Sequence, residues 1–264
     1  MSMASPASEP RSRSDRLYDL LDKSDYRVIT GDEDREVVFR LRYEAYLREE
    51  AIMPNFARGL SDHYDDLDNT TIFGLFVDGD LASTIRVHIA TTDYPEFPAM
   101  PSFPDALGPA LAAGKVIVEA SRHATEKEFS DAFPQLMPFM TIRMTWLAAE
   151  YFGADLYIAA VRKEHQAFYK RVFDGEVVCD PRPYNQLIKP LSLMTCDYRA
   201  QRDSVHNRYP IFRSSQFERR MLIGQHATVA PNIGEAMPKD ATLETAESGA
   251  VRRAGLARVG DRLS

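Results

Sequence analysis

The chain has 264 residues, 44% hydrophobic and 10% aromatic, enough apolar mass for one large domain and too much for a wholly disordered polypeptide. Its 39 acidic and 32 basic residues leave a net charge of −7, the wrong sign for a dedicated nucleic-acid binder. Two cysteines, Cys179 and Cys196, are too few for a disulfide scaffold, and no apolar run approaches the ~20 residues that span a bilayer. These counts predict a soluble, cytoplasmic protein without an integral membrane segment.

The N-terminal residues 1–15 are rich in Ser, Pro and Arg and lack the apolar stretch of a secretory signal, so they read as a solvated tail. A short strand is predicted over Tyr26–Thr30. A helix follows over Asp32–Glu50, where Asp32 can cap and Val37, Leu41, Ala45 and Tyr46 recur at helical spacing. Thr71–Val77 and Leu81–Ala90 read as strands joined through Asp78-Gly79-Asp80, a hairpin signal. Thr91–Gly114, punctuated by prolines, reads as a long loop. Then come a strand over Lys115–Arg122, a helix over Phe133–Phe152, a strand over Asp155–Val161 and a helix over Glu164–Phe173. Two strands, Glu176–Cys179 and Gln186–Asp197, close the pattern. From His226 onward large apolar groups thin out, so residues 226–264 read as a flexible tail and 16–225 as one domain. The class is α/β (α+β): a mixed sheet flanked by helices.

Chemistry concentrates on two strands. In Lys115–Arg122, alternation puts Val116, Val118 and Ala120 on one face, and Ile117, Glu119 and Ser121 on the other. A carboxylate in a strand between helical layers costs several kcal/mol unless it is compensated. Glu119 is therefore either a structural ion-pair partner or a general base whose burial lifts its pKa toward working pH. In Leu81–Ala90 the polar residues Thr84, Arg86 and His88 share a face. Arg86 suits a carboxylate, either that of Glu119 or that of an acidic substrate. Arg42 and Tyr46 lie one turn apart on the first long helix. Asp65 and Asp68 follow in a loop, where they either shape the turn or bind an amine and pair with Arg42. No histidine or cysteine grouping has metal-ligand spacing, and no Gly-x-Ser-x-Gly elbow is present.

The order of elements resembles the acyltransferase fold of the Gcn5-related superfamily, in which the fourth and fifth strands splay around the pantetheine arm of a thioester donor. Those strands are here Lys115–Arg122 and Asp155–Val161. The set Arg42-x-x-x-Tyr46, Asp65-x-x-Asp68, Arg86 and Glu119-x-Ser121-Arg122 further resembles the acyl-homoserine-lactone (autoinducer) synthases and their relatives, the long-chain N-acyl amino acid synthases. The resemblance spans about residues 26–198. Tyr46 stands where the lactone synthases carry Phe, and Glu49-Glu50-Ala51-Ile52-Met53 lacks their tryptophan, which favours the N-acyl amino acid branch.

The resemblance implies an N-acyltransferase that takes a fatty acyl group from acyl carrier protein and places it on the amine of an amino acid or related metabolite. It implies no tightly bound cofactor and no metal. Glu119, Ser121 and Arg122 are then the catalytic set, and Arg42, Tyr46, Asp65, Asp68 and Arg86 contact the acceptor. The stretch after Arg122, His123 to Glu128, contains no glycine and two acids, a poor cradle for the pyrophosphate of coenzyme A; a carrier-bound donor fits better. Met140, Met144 and Trp146, in a Met-rich helix, are candidate acyl-pocket residues. Carrier proteins are acidic and this chain is also acidic, so docking requires a local basic patch. Arg162, Lys163, Lys170 and Arg171 flank the pantetheine entrance, with Arg199–Arg220 as the alternative. A lactone synthase and a non-catalytic binder of acyl groups or amino acids are the competing readings.

Overall fold

A computed structural model of the chain describes residues 11–231. Helix α1 (Arg13–Leu21) comes first, its N-terminus closed by a capping box between Ser12 and Asp15. It begins inside the stretch expected to be a tail, because Leu17 and Leu20 fall on one face and bury against the core. Strand β1 (Ser24–Val28) leads into α2 (Asp32–Arg48). Gly31, not Asp32, is the N-cap; Asp32, Glu33 and Asp34 instead fill the first turn, where the helix dipole favours acids. The buried stripe of α2 is Val38, Leu41, Arg42, Tyr43 and Ala45, whereas Val37, expected on it, is 55% exposed.

A single 3-10 turn (His63–Asp66) precedes the hairpin of β2 (Thr70–Val77) and β3 (Asp80–Ala90). Asp78 and Gly79 both have positive φ, the backbone of the two-residue turn that matches strand twist. The proline-rich stretch after β3 is not all loop: Pro104 starts helix α3 (Pro104–Ala112), where its missing N–H costs nothing. Strand β4 (Ile117–Thr125) runs three residues past its predicted end. The helix predicted from Phe133 splits into α4 (Lys127–Ala132) and α5 (Met137–Phe152), with Pro138 in the first turn of α5 and left-handed Gly153 ending it. Then follow β5 (Leu156–Val161), α6 (Gln166–Phe173), β6 (Glu176–Val177) and β7 (Ser192–Asp197). The last two strands are shorter than predicted, leaving 178–191 as an irregular strap with one bridge, Arg182 to Leu191. Helices α7 (Tyr198–Arg208) and α8 (Gln216–Arg219) close the fold. Val229 buries against the core, so packing extends past 225; the remainder of the predicted C-terminal tail, from 232, lies outside the described residues.

The seven strands form one sheet in the order β1-β2-β3-β4-β5-β7-β6. Every neighbouring pair is antiparallel except β4 and β5, which run parallel. Both faces are covered. Phe73, Ile85, Val87, Val118 and Ala120 pack beneath α5, with its Met140, Met144 and Trp146. Ile117, Ile158 and Leu193 pack on the other face under Phe97, Phe103 and α3. The result is a mixed α/β fold, a seven-stranded and mostly antiparallel sheet flanked by helices.

Two irregularities shape the centre of the sheet. The β4–β5 pairing stops at Ala120 opposite Ala159, although both strands continue, so they part company from Ser121 onward. On its other edge β4 carries a bulge: Ser121 faces Arg86 and Ala124 faces Thr84, so Arg122 and His123 together oppose Ile85. Arg122 takes left-handed φ (52°) there. That extra residue resets the alternation. Ser121 and Arg122, which regular pleating would send to opposite faces, both send polar groups to the same cluster.

Candidate active site

The cluster lies where β3, β4, the turn at 62–66 and the 178–191 strap converge. Glu119 is 1% exposed and faces His88 across the β3–β4 ladder. Its Oε1 accepts from the Tyr184 hydroxyl at 2.6 Å and its Oε2 from the Ala99 amide at 3.1 Å. Burial pushes its pKa up to about 7; the two hydrogen bonds and Arg86 oppose that shift without cancelling it. Arg86 does not pair with Glu119 as a salt bridge. Its Nε donates to Ser121 Oγ at 3.1 Å, while Nη1 meets Asp62 at 2.5 Å and Asp65 at 2.9 Å.

Asp62, which sequence reading passed over, is the hub. It receives Arg86, Arg122 Nη2 at 2.5 Å and Asn185 Nδ2 at 2.9 Å. Burial by itself raises its carboxyl, but Arg86 and Arg122 outweigh that and hold it well below the usual carboxylate range. Asp65 accepts from Arg42 Nη1 at 2.7 Å; it too is lowered, with Arg42 and Arg86 overcoming burial. The two aspartates also form the capping box of the 3-10 turn, so one piece of backbone presents both carboxylates.

The pair that enters the cluster is therefore Asp62-x-x-Asp65, not Asp65-x-x-Asp68. Both pairs have the same spacing, and only the turn geometry separates them. Asp68 is exposed and makes no ion pair among the described residues. Arg42 is fully buried, and its Nε and Nη2 lack a hydrogen-bond partner among the described residues. Burial lowers its pKa to about 10, so it stays cationic at neutral pH. His88 Nε2 lies 3.0 Å from the Tyr64 carbonyl; burial, then Arg86, holds this histidine well below its ordinary value and therefore neutral.

Beside the cluster, the gap between β4 and β5 opens into a cavity of about 340 Å³. Its walls include Ser121 and Arg122 from β4, Tyr46 from α2, Met137 and Ile142 from α5, and Phe168 and Tyr169 from α6. Tyr46 also has the Arg122 guanidinium 5.9 Å from its ring centre. The predicted acyl-pocket residues do not line this cavity. Met140, Met144 and Trp146 are buried in the core, and Trp146 is enclosed by Phe173 of α6, Tyr157 of β5 and Tyr198 of α7. Met137 and Ile142, which line the cavity, and Met140, Met144 and Trp146, which do not, are all apolar residues of α5, so composition does not tell the two sets apart.

Of the predicted basic patch, Arg162 lines the cavity mouth but is tied to Glu49 and Glu164. Lys163, Lys170 and Arg171 are exposed without an ion pair among the described residues. In the alternative segment, Arg199, Arg202, Arg208 and Arg219 are matched to Asp155, Asp203, Asp174 and Glu150. His123 to Thr125, expected in a loop, belong to β4, and the turn into α4 has no side-chain cap.

Arranged in this way, a proton acceptor with a pKa near neutrality stands beside a cationic cluster and a channel between parted strands. That is the equipment for deprotonating one substrate against an extended second one. The solved structure of FeeM, an N-acyl amino acid synthase from uncultured soil microbes, is similar with a TM-score of 0.54 at 17% identity, covering 67% of this chain and 94% of that one. BjaI, a CoA-dependent acyl-homoserine lactone synthase, matches at 0.48 and 16%, covering 71% and 90%. The lactone synthase LasI matches at 0.48 and 16%, covering 67% and 93%. No curated protein matches significantly. The family model described as N-acyl amino acid synthase FeeM matches residues 37–197, which hold every member of the cluster, and the chain belongs to that family of acyltransferases.

Proposed function

We propose that the protein transfers a fatty acyl group from the pantetheine thioester of acyl carrier protein to the amine of an amino acid or related metabolite. The observation that carries this reading is Glu119: a buried carboxyl poised near pH 7, two residues from the point where β4 and β5 separate. The acyl thioester lies in the gap between these strands, its chain against Met137, Ile142 and Phe168. The backbone of β4 beyond Ala120 has no strand partner on that side and is free to receive the thioester oxygen as charge builds on it. The amine attacks the thioester carbon, a C–N bond forms, the C–S bond breaks and the thiolate leaves on the pantetheine arm. Glu119 takes the proton of the attacking amine.

The cationic excess of Arg42, Arg86 and Arg122 over Asp62 and Asp65 favours an acceptor that carries its own carboxylate, which suits an amino acid. Asp62 and Asp65 keep those guanidinium groups aimed and leave one positive charge in surplus. The absence of glycine in the turn after β4 supports a carrier-bound donor over coenzyme A.

Incubating the protein with acyl carrier protein thioesters and a mixture of amino acids, followed by mass spectrometry, tests this directly. An N-acyl amino acid is the expected product. A lactone product or a strict preference for acyl-coenzyme A refutes the finer reading, and no product with any donor refutes acyl transfer by this chain.

A further inference from the structure

The strap at 178–191 is the least regular part of the site, yet it is fastened at many points. Arg182 exchanges both backbone bonds with Leu191 and reaches Asp105 and the Ser102 carbonyl. Asn185 bonds Asp62, Gln186 reaches the Ser61 carbonyl, and the Ile188 amide donates to the Ala51 carbonyl. Asn185 has φ 43°, a left-handed backbone that asparagine tolerates better than most residues. Within this stretch two successive side chains, Tyr184 and Asn185, donate to Glu119 and Asp62 respectively. A strap needed only to cover the sheet has no reason to deliver one hydrogen bond to each of two buried carboxylates.

We infer that Tyr184 is a positioning residue for Glu119, its hydroxyl and the Ala99 amide clamping one carboxylate oxygen each and so holding the base in a single orientation. The inference rests on the reading of Glu119 as the base. Glu119 is otherwise faced by Arg86 and His88 from β3 and by Asp62 and Tyr64 from the turn. Among these, Tyr184 is the only side chain within hydrogen-bond distance of it among the described residues. A hydrogen bond to the charged form keeps a carboxyl pKa down, so its removal raises the pH at which Glu119 ionises.

The Tyr184→Phe variant keeps the ring against Phe103 and removes only the hydroxyl. Two measurements are made on it. One is infrared titration of the Glu119 carboxyl in substrate-free protein, the band being identified by its loss in Glu119→Gln. The other is the pH profile of acyl transfer. We expect the titration midpoint and the acid limb of the profile to rise together by about one pH unit, with roughly fivefold loss of kcat at pH 7 that is largely restored at pH 9. If the midpoint does not move, or activity falls equally at all pH values, Tyr184 merely packs and the inference is wrong. A midpoint that moves in a protein without acyl transfer upholds the clamp and refutes the proposed function instead. Should Tyr184→Phe not fold, 3-fluorotyrosine at position 184 keeps every contact. Its stronger donation is expected to move the midpoint down, and an unchanged midpoint overturns the inference.

Discussion

Glu119 and Asp62 show how one environment sends two carboxyls in opposite directions. Both are buried, which disfavours charge, but Asp62 touches two guanidinium groups and Glu119 touches none. Asp62 therefore remains an anion that organises its neighbours, and Glu119 is left to gain and lose a proton near neutrality. Replacing Glu119 with Gln keeps one carbonyl oxygen to accept from the Ala99 amide, and the Tyr184 hydroxyl can turn to accept from the new NH2 group, so the fold is expected to persist. Its kcat should drop by about 10²-fold or more, the range for a lost general base, with KM for the donor little changed. Steady-state kinetics on the folded variant settle this; turnover equal to that of the parent protein removes Glu119 from the mechanism. Glu119, Arg86 and Ser121 were legible because strand alternation brings them together at two-residue spacing. Asp62, Tyr184 and Asn185 were not, since they sit in irregular backbone with no period to read.

Residues of α5 differ in what they touch, and the difference predicts different mutant behaviour. Ile142 and Met137 line the cavity; Trp146 is enclosed in the core, stacked on Phe173 of α6. Ile142→Trp is expected to shorten the acyl chains accepted while leaving thermal stability nearly intact, measured with a panel of donors and by calorimetry. Trp146→Ala is expected to cost about 3–5 kcal/mol of stability through an unfilled core site, with no change in chain-length preference among whatever remains folded. The same division between free and tied groups applies to the basic residues after β5. Arg162 is held by Glu49 and Glu164, whereas Lys170 and Arg171 on α6 carry charge toward solvent. Reversing both to Glu should raise KM for the carrier-bound donor and flatten its salt dependence, yet leave a short pantetheine thioester used as before. Equal loss with both donors would assign these residues to the fold.

Across the whole molecule the buried ionisable groups link stability to pH. Asp62 and Asp65 have folded pKa values below their unfolded ones, so the stability they add is present above about pH 4 and is lost as acid protonates them. Glu119 works against this. Its folded pKa, about 7, exceeds its ordinary value, so the folded state binds the proton more tightly and stability falls as pH rises from about 4.5 to 7. Stability should therefore peak in the mildly acidic range. In Glu119→Gln the fall between pH 4.5 and 7 is expected to shrink, by up to about 3 kcal/mol on a shift of this size. Chemical denaturation across pH 4–8 reads this out, and identical slopes in parent and variant would show that Glu119 titrates as it does in the unfolded chain. Among the described residues no helix is long and apolar enough to cross a membrane.

Period, punctuation and local chemistry were enough to order the main strands and helices, to mark the Asp78-Gly79 hairpin and to single out Glu119 on a strand where a carboxylate is out of place. Such signals depend on neighbours within a turn or a pleat, and these survive in a linear string. Helices α1 and α3 escaped notice because one lies in a polar terminus and the other begins on a proline in a proline-rich stretch. The choice between Asp62 and Asp68, which α5 residues line the cavity and the arrival of Tyr184 at Glu119 from 65 positions away were decided by contacts between distant segments. Only when the sheet is assembled do a bulge at Arg122 and the parting of β4 from β5 determine which polar groups share a cluster and which apolar ones line its cavity.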